Sequence, residues 1–292
     1  MARRKRRRSQ TPCASAVGGP SNRALKVSTY GSSVSTKSQS FTRSTWPSQT
    51  RSYRESHLGP GKGKSYDEDL RDRTAAKGLE WLVEQQLLAS ILDRMSASSE
   101  WSFADFACGT GRILEFISAK IPTAVGIDIS PEMLGLARAR CPWATLIQGD
   151  VTADPALAPG PFDLITAFRF FLNAEPTLRS QVLTWMRMAL RQGGWVVANF
   201  HRNPASLRGT YLRARTSRAT RPAMMSVSEA CEMLKVHGFT PRQVVGYSFL
   251  PYRRDGRKQL APSVRRAVET RLAGNRALLP AAGSFIVVSS LD

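Results

Sequence analysis

Cysteine and histidine are scarce in this 292-residue chain, with four of the first and three of the second. Cys13, Cys108, Cys141 and Cys231 are scattered and form no CxxC pair. That argues against a zinc cluster or a disulfide framework, fits a reducing compartment, and leaves no metal site to expect. No apolar run is long enough to span a bilayer. The opening "MARRKRRRSQTPCASAVGG" has the charges of a leader without its apolar segment, so no secretory signal is read and a cytoplasmic location is expected. Acidic residues are nearly missing from the first 64 positions, where Glu55 stands against 14 Lys or Arg. The remainder holds 21 acids against 28 bases, so most of the net charge of +20 belongs to the N-terminal segment.

Hydrophobic residues make up 42% of the chain, enough for one substantial core. Residues 1 to 64 are rich in Ser, Thr, Arg and Gly and lack sustained periodicity. Such a segment buries too little apolar surface to offset its ordering entropy, and it reads as a disordered tail ahead of one domain over 65–292. Three readings of the tail compete: a nucleic-acid or anionic-lipid contact through "RRKRRR", an organelle transit segment, and a solvated tail without a partner.

Helix and strand signals alternate after the tail. Helical spacing over 66–95 places Leu79, Leu82, Val83, Gln86, Leu87, Ser90, Ile91 and Arg94 on one face. Strand signals follow at 101–107, 123–129, 144–150, 161–168, 195–200, 242–250 and 284–290. The spacing predicts helices over 111–120, 131–140, 177–192 and 226–237, with Ser130 and Ser226 or Ser228 as N-caps and Gly193, Gly194 and Gly238 as stops. Repeated β-α units require a doubly wound α/β fold around a mostly parallel sheet.

The stretch "ADFACGTGR", residues 104 to 112, ends the first strand. A Walker loop would close on Gly-Lys-Ser/Thr, but Gly111 is followed by Arg112 and Ile113. A dinucleotide fingerprint would place a third glycine where Leu114 stands. What remains is Asp105 at a strand end, then a turn of nearly bare backbone through Ala107, Cys108, Gly109 and Gly111. Missing side chains let a ligand approach the backbone closely. A carboxylate suits an amino group rather than a phosphate, which fits the amino-acid end of S-adenosylmethionine. Asp128 ends the second strand, where a carboxylate accepts from ribose hydroxyls, and Asp150 ends the third, placed to accept from the adenine amine. One such acid alone is equally a turn or cap residue. Three after consecutive strands are harder to explain that way.

With these residues in view, the chain from about Trp101 to Phe249, with the last strand at 284–290, resembles the class I S-adenosylmethionine-dependent methyltransferases. "ADFACGTGRILEF" is similar to the family's first motif, with Ala107 in place of a more usual glycine, and "VGIDISPEMLGLARAR" to its second. "QGDV", "FDLITAFRFFLN" and "ALRQGGWVVANF" are similar to its later motifs. The resemblance implies a seven-stranded sheet with an antiparallel last strand. It also implies that Asp105 and the 107–111 backbone hold the methionine end of S-adenosylmethionine, and Asp128 the ribose. Ile129 and Met133 would pack on adenine, while Asp150 and Val151 fix its edge. Alanine at 107 is a mild departure that excludes a strongly positive φ at low cost.

For the acceptor, His201 just past the fifth strand is the candidate general base, against the plain alternative of a loop histidine bonded to backbone. His237 reads as a partner of a helix C-terminus. Phe168 is expected in the cofactor cleft. Arg169, Phe171, Asn173 and Arg202 are the candidate acceptor contacts, although aromatics here fit the core equally well. Residues 201–221 hold six arginines and no acid, and 252–276 hold eight Lys or Arg with Asp255 and Glu269. A cationic rim favours an anionic acceptor, and its plain alternative is an ordinary solvated face. Three functions stand at this point. The first is methyl transfer to an oxygen or nitrogen of a small-molecule, glycan or lipid precursor. The second is RNA or DNA methylation using the basic tail and inserts, although no Asn/Asp-Pro-Pro-Tyr/Phe run or Pro-Cys pair follows the fourth strand. The third is a non-catalytic module that binds the cofactor.

Overall fold

The computed structural model describes residues 52–57, 67–68, 72, 76–217, 220–250 and 260–292. A short helix α1 (Tyr53–His57) precedes the long α2 (Ala76–Arg94). The alternating part then runs β1 (Ser102–Phe106), α3 (Arg112–Ser118), β2 (Thr123–Asp128), α4 (Pro131–Arg140), β3 (Thr145–Gln148), β4 (Phe162–Ala167), α5 (Pro176–Ala189) and β5 (Leu190–His201). After it come α6 (Leu207–Arg215), α7 (Val227–Val236), β6 (Phe239–Tyr247), α8 (Pro262–Leu272) and β7 (Ser284–Leu291). Most of residues 1–64, with the tail reading placed on them, lie outside the described residues, as do 252–259 of the second basic insert.

The seven strands form one sheet in the order β3-β2-β1-β4-β5-β7-β6. The first five run parallel, and β7 lies antiparallel to both β5 and β6. Because successive side chains alternate across a strand, the sheet feeds two cores. On one face Ala104, Phe106, Ile165, Val196, Ala198, Phe285 and Val287 meet Leu178, Val182, Trp185 and Met186 of α5 and Leu234 of α7. On the other face Phe103, Leu164, Val197, Ile286 and Val288 meet Val83, Leu88 and Ile91 of α2 and Ile113, Leu114 and Ile117 of α3.

Local signals account for the helix starts. Ser130 accepts the Met133 amide ahead of Pro131, and Ser226 with Glu229 forms a capping box. Helix α5 stops at Ala189, before the paired glycines, because Leu190 already takes an extended conformation and pairs with Phe162 of β4. The buried face of α2 runs through Leu79, Val83, Glu84, Leu88, Ile91 and Leu92, turned slightly from the stripe expected from the spacing. Helices α6 and α8, each starting on a basic segment, are elements the sequence did not announce.

Candidate functional site

Strand β1 delivers Asp105 to the carboxyl edge of the sheet, where a cavity of about 290 Å³ opens between the ends of β1, β2, β4 and β5. The Asp105 side chain is buried, at 1% exposure. Its Oδ1 accepts the Thr166 hydroxyl at 2.6 Å, while Oδ2 is buried without a hydrogen-bond partner. Burial pushes the carboxyl up from 3.8 to about 7, with Asp128 adding to the rise and Thr166 and Arg112 opposing it. A buried acceptor left open at a cavity wall costs energy until a donor arrives, and an ammonium group meets that need.

The turn after β1 takes left-handed backbone at Ala107 (φ 54°), Gly109 (φ 55°) and Gly111 (φ 80°). Ala107 therefore takes a positive φ at the cost that an alanine there implies, about 1–2 kcal/mol. A Cβ added at Gly109 would meet nothing within 4 Å, so this backbone borders open space. Gly111 serves packing instead: a Cβ there would lie 3.1 Å from Ala137 Cβ of α4, and Gly111 does not line the cavity. The Gly109 amide donates to Asp128 Oδ2 at 2.8 Å and the Ser130 amide to Oδ1 at 2.9 Å, which fixes this carboxylate at the cavity edge. Cys108, Ile129, Met133 and Phe168 line the same wall. Val151 does not, because its side chain is fully buried in the core.

Asp150 also lines the cavity. Burial alone would raise its carboxyl, but Thr152 and Arg54 hold it below the usual range. Thr152 donates through its hydroxyl at 2.6 Å and its amide at 3.0 Å, and Arg54 Nε at 2.7 Å. Arg54 and Tyr53 belong to α1, a segment the sequence assigns to the tail. Tyr53 sets its ring edge-on to Phe170 at 5.1 Å, and both residues line the cavity.

The acceptor side differs from expectation at one position. Strand β4 ends at Ala167, and Arg169 takes left-handed backbone (φ 60°), which breaks the strand alternation. Phe171 consequently turns into the core, stacked 5.9 Å from Phe200, and Phe170 lines the cavity in its place. Arg169, Asn173, His201 and Arg202 all line the cavity. His201 ends β5, and its Nδ1 is buried without a partner. Burial and then the cations Arg202, Arg169 and Arg208 hold its ring well below the ordinary 6.5, so it is neutral at pH 7. His237 caps the end of α7, its Nδ1 2.8 Å from the Met233 carbonyl and its Nε2 2.6 Å from the Ser180 hydroxyl.

Beneath the cavity floor lies a buried network that local sequence patterns do not display. Glu84 of α2 is fully buried and accepts from Arg112 at 2.7 Å, Asn199 at 3.1 Å and the Tyr247 hydroxyl at 2.6 Å. Burial would raise the Glu84 carboxyl, but Arg112 and Arg169 hold it below the usual range. The Arg112 guanidinium stacks 4.6 Å from the Trp81 ring and lines the cavity. The one sequence signal for this network is an acid inside an otherwise apolar helix face. Among the described residues, no group of three or more His, Cys, Asp or Glu could hold a metal, and no helix is long and apolar enough to cross a membrane.

Known proteins place this geometry. Residues 103–194 match a family model described as a methyltransferase domain. An uncharacterized methyltransferase of Synechocystis is 28% identical over 112 residues, covering 38% of this chain and 52% of its own. A dTDP-3-amino-3,6-dideoxy-alpha-D-glucopyranose N,N-dimethyltransferase of Streptomyces fradiae is 34% identical over 91 residues, 31% of this chain and 29% of its own. The chain thus spans about half the length of the first relative and under a third of the second. Among solved structures, a possible histamine N-methyltransferase of Thermotoga maritima aligns with TM-score 0.55 at 16% identity, over 78% of this chain and 95% of that one. Magnesium protoporphyrin IX methyltransferase of Synechocystis with bound S-adenosylhomocysteine gives 0.56 at 14% identity, over 82% and 98%. These structural likenesses show a shared fold. The matched domain over residues 103–194, the strand order and the three carboxylates around one cavity make this chain similar to the class I S-adenosylmethionine-dependent methyltransferases.

Proposed function

We propose that this chain transfers a methyl group from S-adenosylmethionine to an oxygen or nitrogen of a small-molecule, glycan or lipid precursor. The observation that carries the reading is the open Oδ2 of buried Asp105, in one cavity with Asp128 and Asp150 on one side and His201 on the other. When bound, the cofactor supplies a methyl on a positively charged sulfur, already activated for displacement. Asp105 meets its ammonium, Asp128 its ribose hydroxyls, Ile129 and Met133 the faces of adenine, and Asp150 with Arg54 the adenine edge. Phe168 and Phe170 keep water from the reacting end. Arg169, Asn173 and Arg202 orient the acceptor, and alignment supplies much of the rate because the leaving group needs no further activation. His201, neutral and with Nδ1 open, takes the proton that an alcohol or ammonium acceptor must lose. The Streptomyces relative, named for dimethylating the amine of a nucleotide-linked sugar, supports a small-molecule acceptor.

S-adenosylmethionine is expected to raise the melting temperature of the parent protein, and Asp128→Ala to abolish the rise. No rise in the parent would remove the cofactor assignment. Transfer of a labelled methyl into a cell extract, followed by identification of the labelled product, then names the acceptor.

A further inference from the structure

The acceptor end of the cavity carries more positive charge than the protein itself answers. Arg169 faces Glu80 at 3.5 Å and Glu84 at 4.0 Å, so its charge is met by carboxylates. Neither Arg202, which lines the cavity, nor Arg208, an exposed residue of α6 outside its lining, has a carboxylate partner among the described residues. Arg202 Nη1 donates to the Ala223 carbonyl at 3.2 Å, which anchors one end of the guanidinium and leaves its other donors for a ligand. Burial, then the nearby Arg208 and Arg169, pull the Arg202 guanidinium below its ordinary value. Like charges this close repel one another, and an oxyanion beside Arg202 offsets that repulsion.

The backbone holds these groups rigidly. Arg202 sits at φ 61° and Arg169 at φ 60°, so two adjacent parallel strands leave the sheet through left-handed arginines that both line the cavity. Such conformations persist in non-glycine residues only where surrounding bonds over-determine them. Here the Asn203 side chain donates to the Pro280 and Ala282 carbonyls at 3.2 and 3.0 Å, and its amide to Gly283 at 3.1 Å. The Ser206 hydroxyl donates to the Asn203 carbonyl at 2.8 Å and accepts the Gly209 amide at 3.0 Å. A Cβ at Gly209 would fall 2.1 Å from the Asn203 carbonyl oxygen, so the first turn of α6, which carries Arg208, is pressed onto the loop that carries Arg202. Beside this cluster lies His201 Nδ1, buried and without a partner.

We propose that Arg202 and Arg208 form an oxyanion subsite, and that the methyl acceptor carries a carboxylate or phosphate held there beside His201. The proposal rests on the methyltransferase reading for its function, but the subsite is testable without turnover. Burial is the larger cause of the ring's neutrality, and an anion beside His201 offsets the smaller part due to the arginines, so acceptor binding itself makes His201 a better base.

The test is an NMR titration of the histidine ring protons in the full chain, which has only three histidines. It is run without additions and with inorganic phosphate or succinate as separate probes. Either anion should raise the His201 midpoint by about one pH unit or more, and a larger effect of one names the preferred chemistry. Arg202→Gln should weaken that response at least about tenfold, and Arg208→Gln should weaken it in part. The exposed Arg271→Gln should leave it unchanged. Arg202→Gln should also keep its melting rise with S-adenosylmethionine, which shows that fold and cofactor end are intact. A His201 midpoint that neither probe moves, or that moves as far in Arg202→Gln and Arg208→Gln as in the parent, overturns the subsite. Absence of the cofactor-induced rise in the parent overturns the methyltransferase reading instead.

Discussion

Replacing Asp105 by Asn should make the ligand-free protein gain stability relative to the parent as the pH rises, while disabling it. The folded-state carboxyl lies near 7 against an ordinary 3.8, a difference of about three pH units. At ~1.4 kcal/mol for each, ionising Asp105 in the fold costs ~4 kcal/mol more than ionising it in the unfolded chain. The sign follows from the raised value. The stability contribution is complete below 3.8 and is lost as the pH climbs through 7. By pH 5 the parent has given up ~1.5 kcal/mol, and by pH 8 nearly all of the ~4. Asparagine never ionises and still accepts the Thr166 hydroxyl. Its amide nitrogen meets no acceptor where Oδ2 now lies, a cost of ~1–3 kcal/mol that does not vary with pH. The stability difference between parent and Asp105→Asn should therefore swing by close to ~3 kcal/mol toward the variant between pH 5 and pH 8. Urea unfolding of both proteins at the two pH values measures it. A difference constant with pH refutes the argument, as does a variant whose melting temperature still rises fully with S-adenosylmethionine. In the parent, affinity for that cofactor should fall about tenfold per pH unit below 7, because the ammonium then meets a neutral acid.

Two further outcomes follow from buried contacts. Glu84→Ala takes the buried carboxylate away from the Arg112 guanidinium and the Tyr247 hydroxyl and leaves Asn199 its 3.2 Å bond to that hydroxyl, so unfolding free energy should drop by ~3–5 kcal/mol; a drop below ~1 kcal/mol in urea titrations would mean the network is wet. Gly209→Ala drives a methyl against the Asn203 carbonyl, and the first turn of α6 should loosen, with a loss of ~1–3 kcal/mol and faster amide exchange over 207–215; unchanged exchange there would show that the turn is not pressed on the loop.

The parts of the site that the sequence displayed share one property. Asp105, Asp128 and Asp150 each end or follow a short apolar run and precede a turn or helix signal, so position along the chain nearly equals position at the sheet edge. His201 and Arg202 reach the cavity for the same reason. What could not be read depends on distance or on a single dihedral. Glu84 meets Arg112, Asn199 and Tyr247 across 28, 115 and 163 residues, and no local pattern links them. Phe170 and Phe171 exchange roles because Arg169 alone turns left-handed. Tyr53 and Arg54 reach the cavity from a stretch whose composition speaks for disorder, and long-range contacts with Asp150, Thr152, Glu175 and the Phe170 ring hold that turn there.

The place of β7 has a consequence for biogenesis. The last strand of the sheet to be synthesised inserts between β5 and β6, with residues 284–291 pairing on both sides. Until the ribosome has released that segment, β5 keeps an open edge and β6 has no neighbour in the sheet. Exposed edges of this kind template pairing between chains. Sheet closure therefore waits on this last strand, and a ribosome stalled before residue 284 leaves a nascent chain with those edges open.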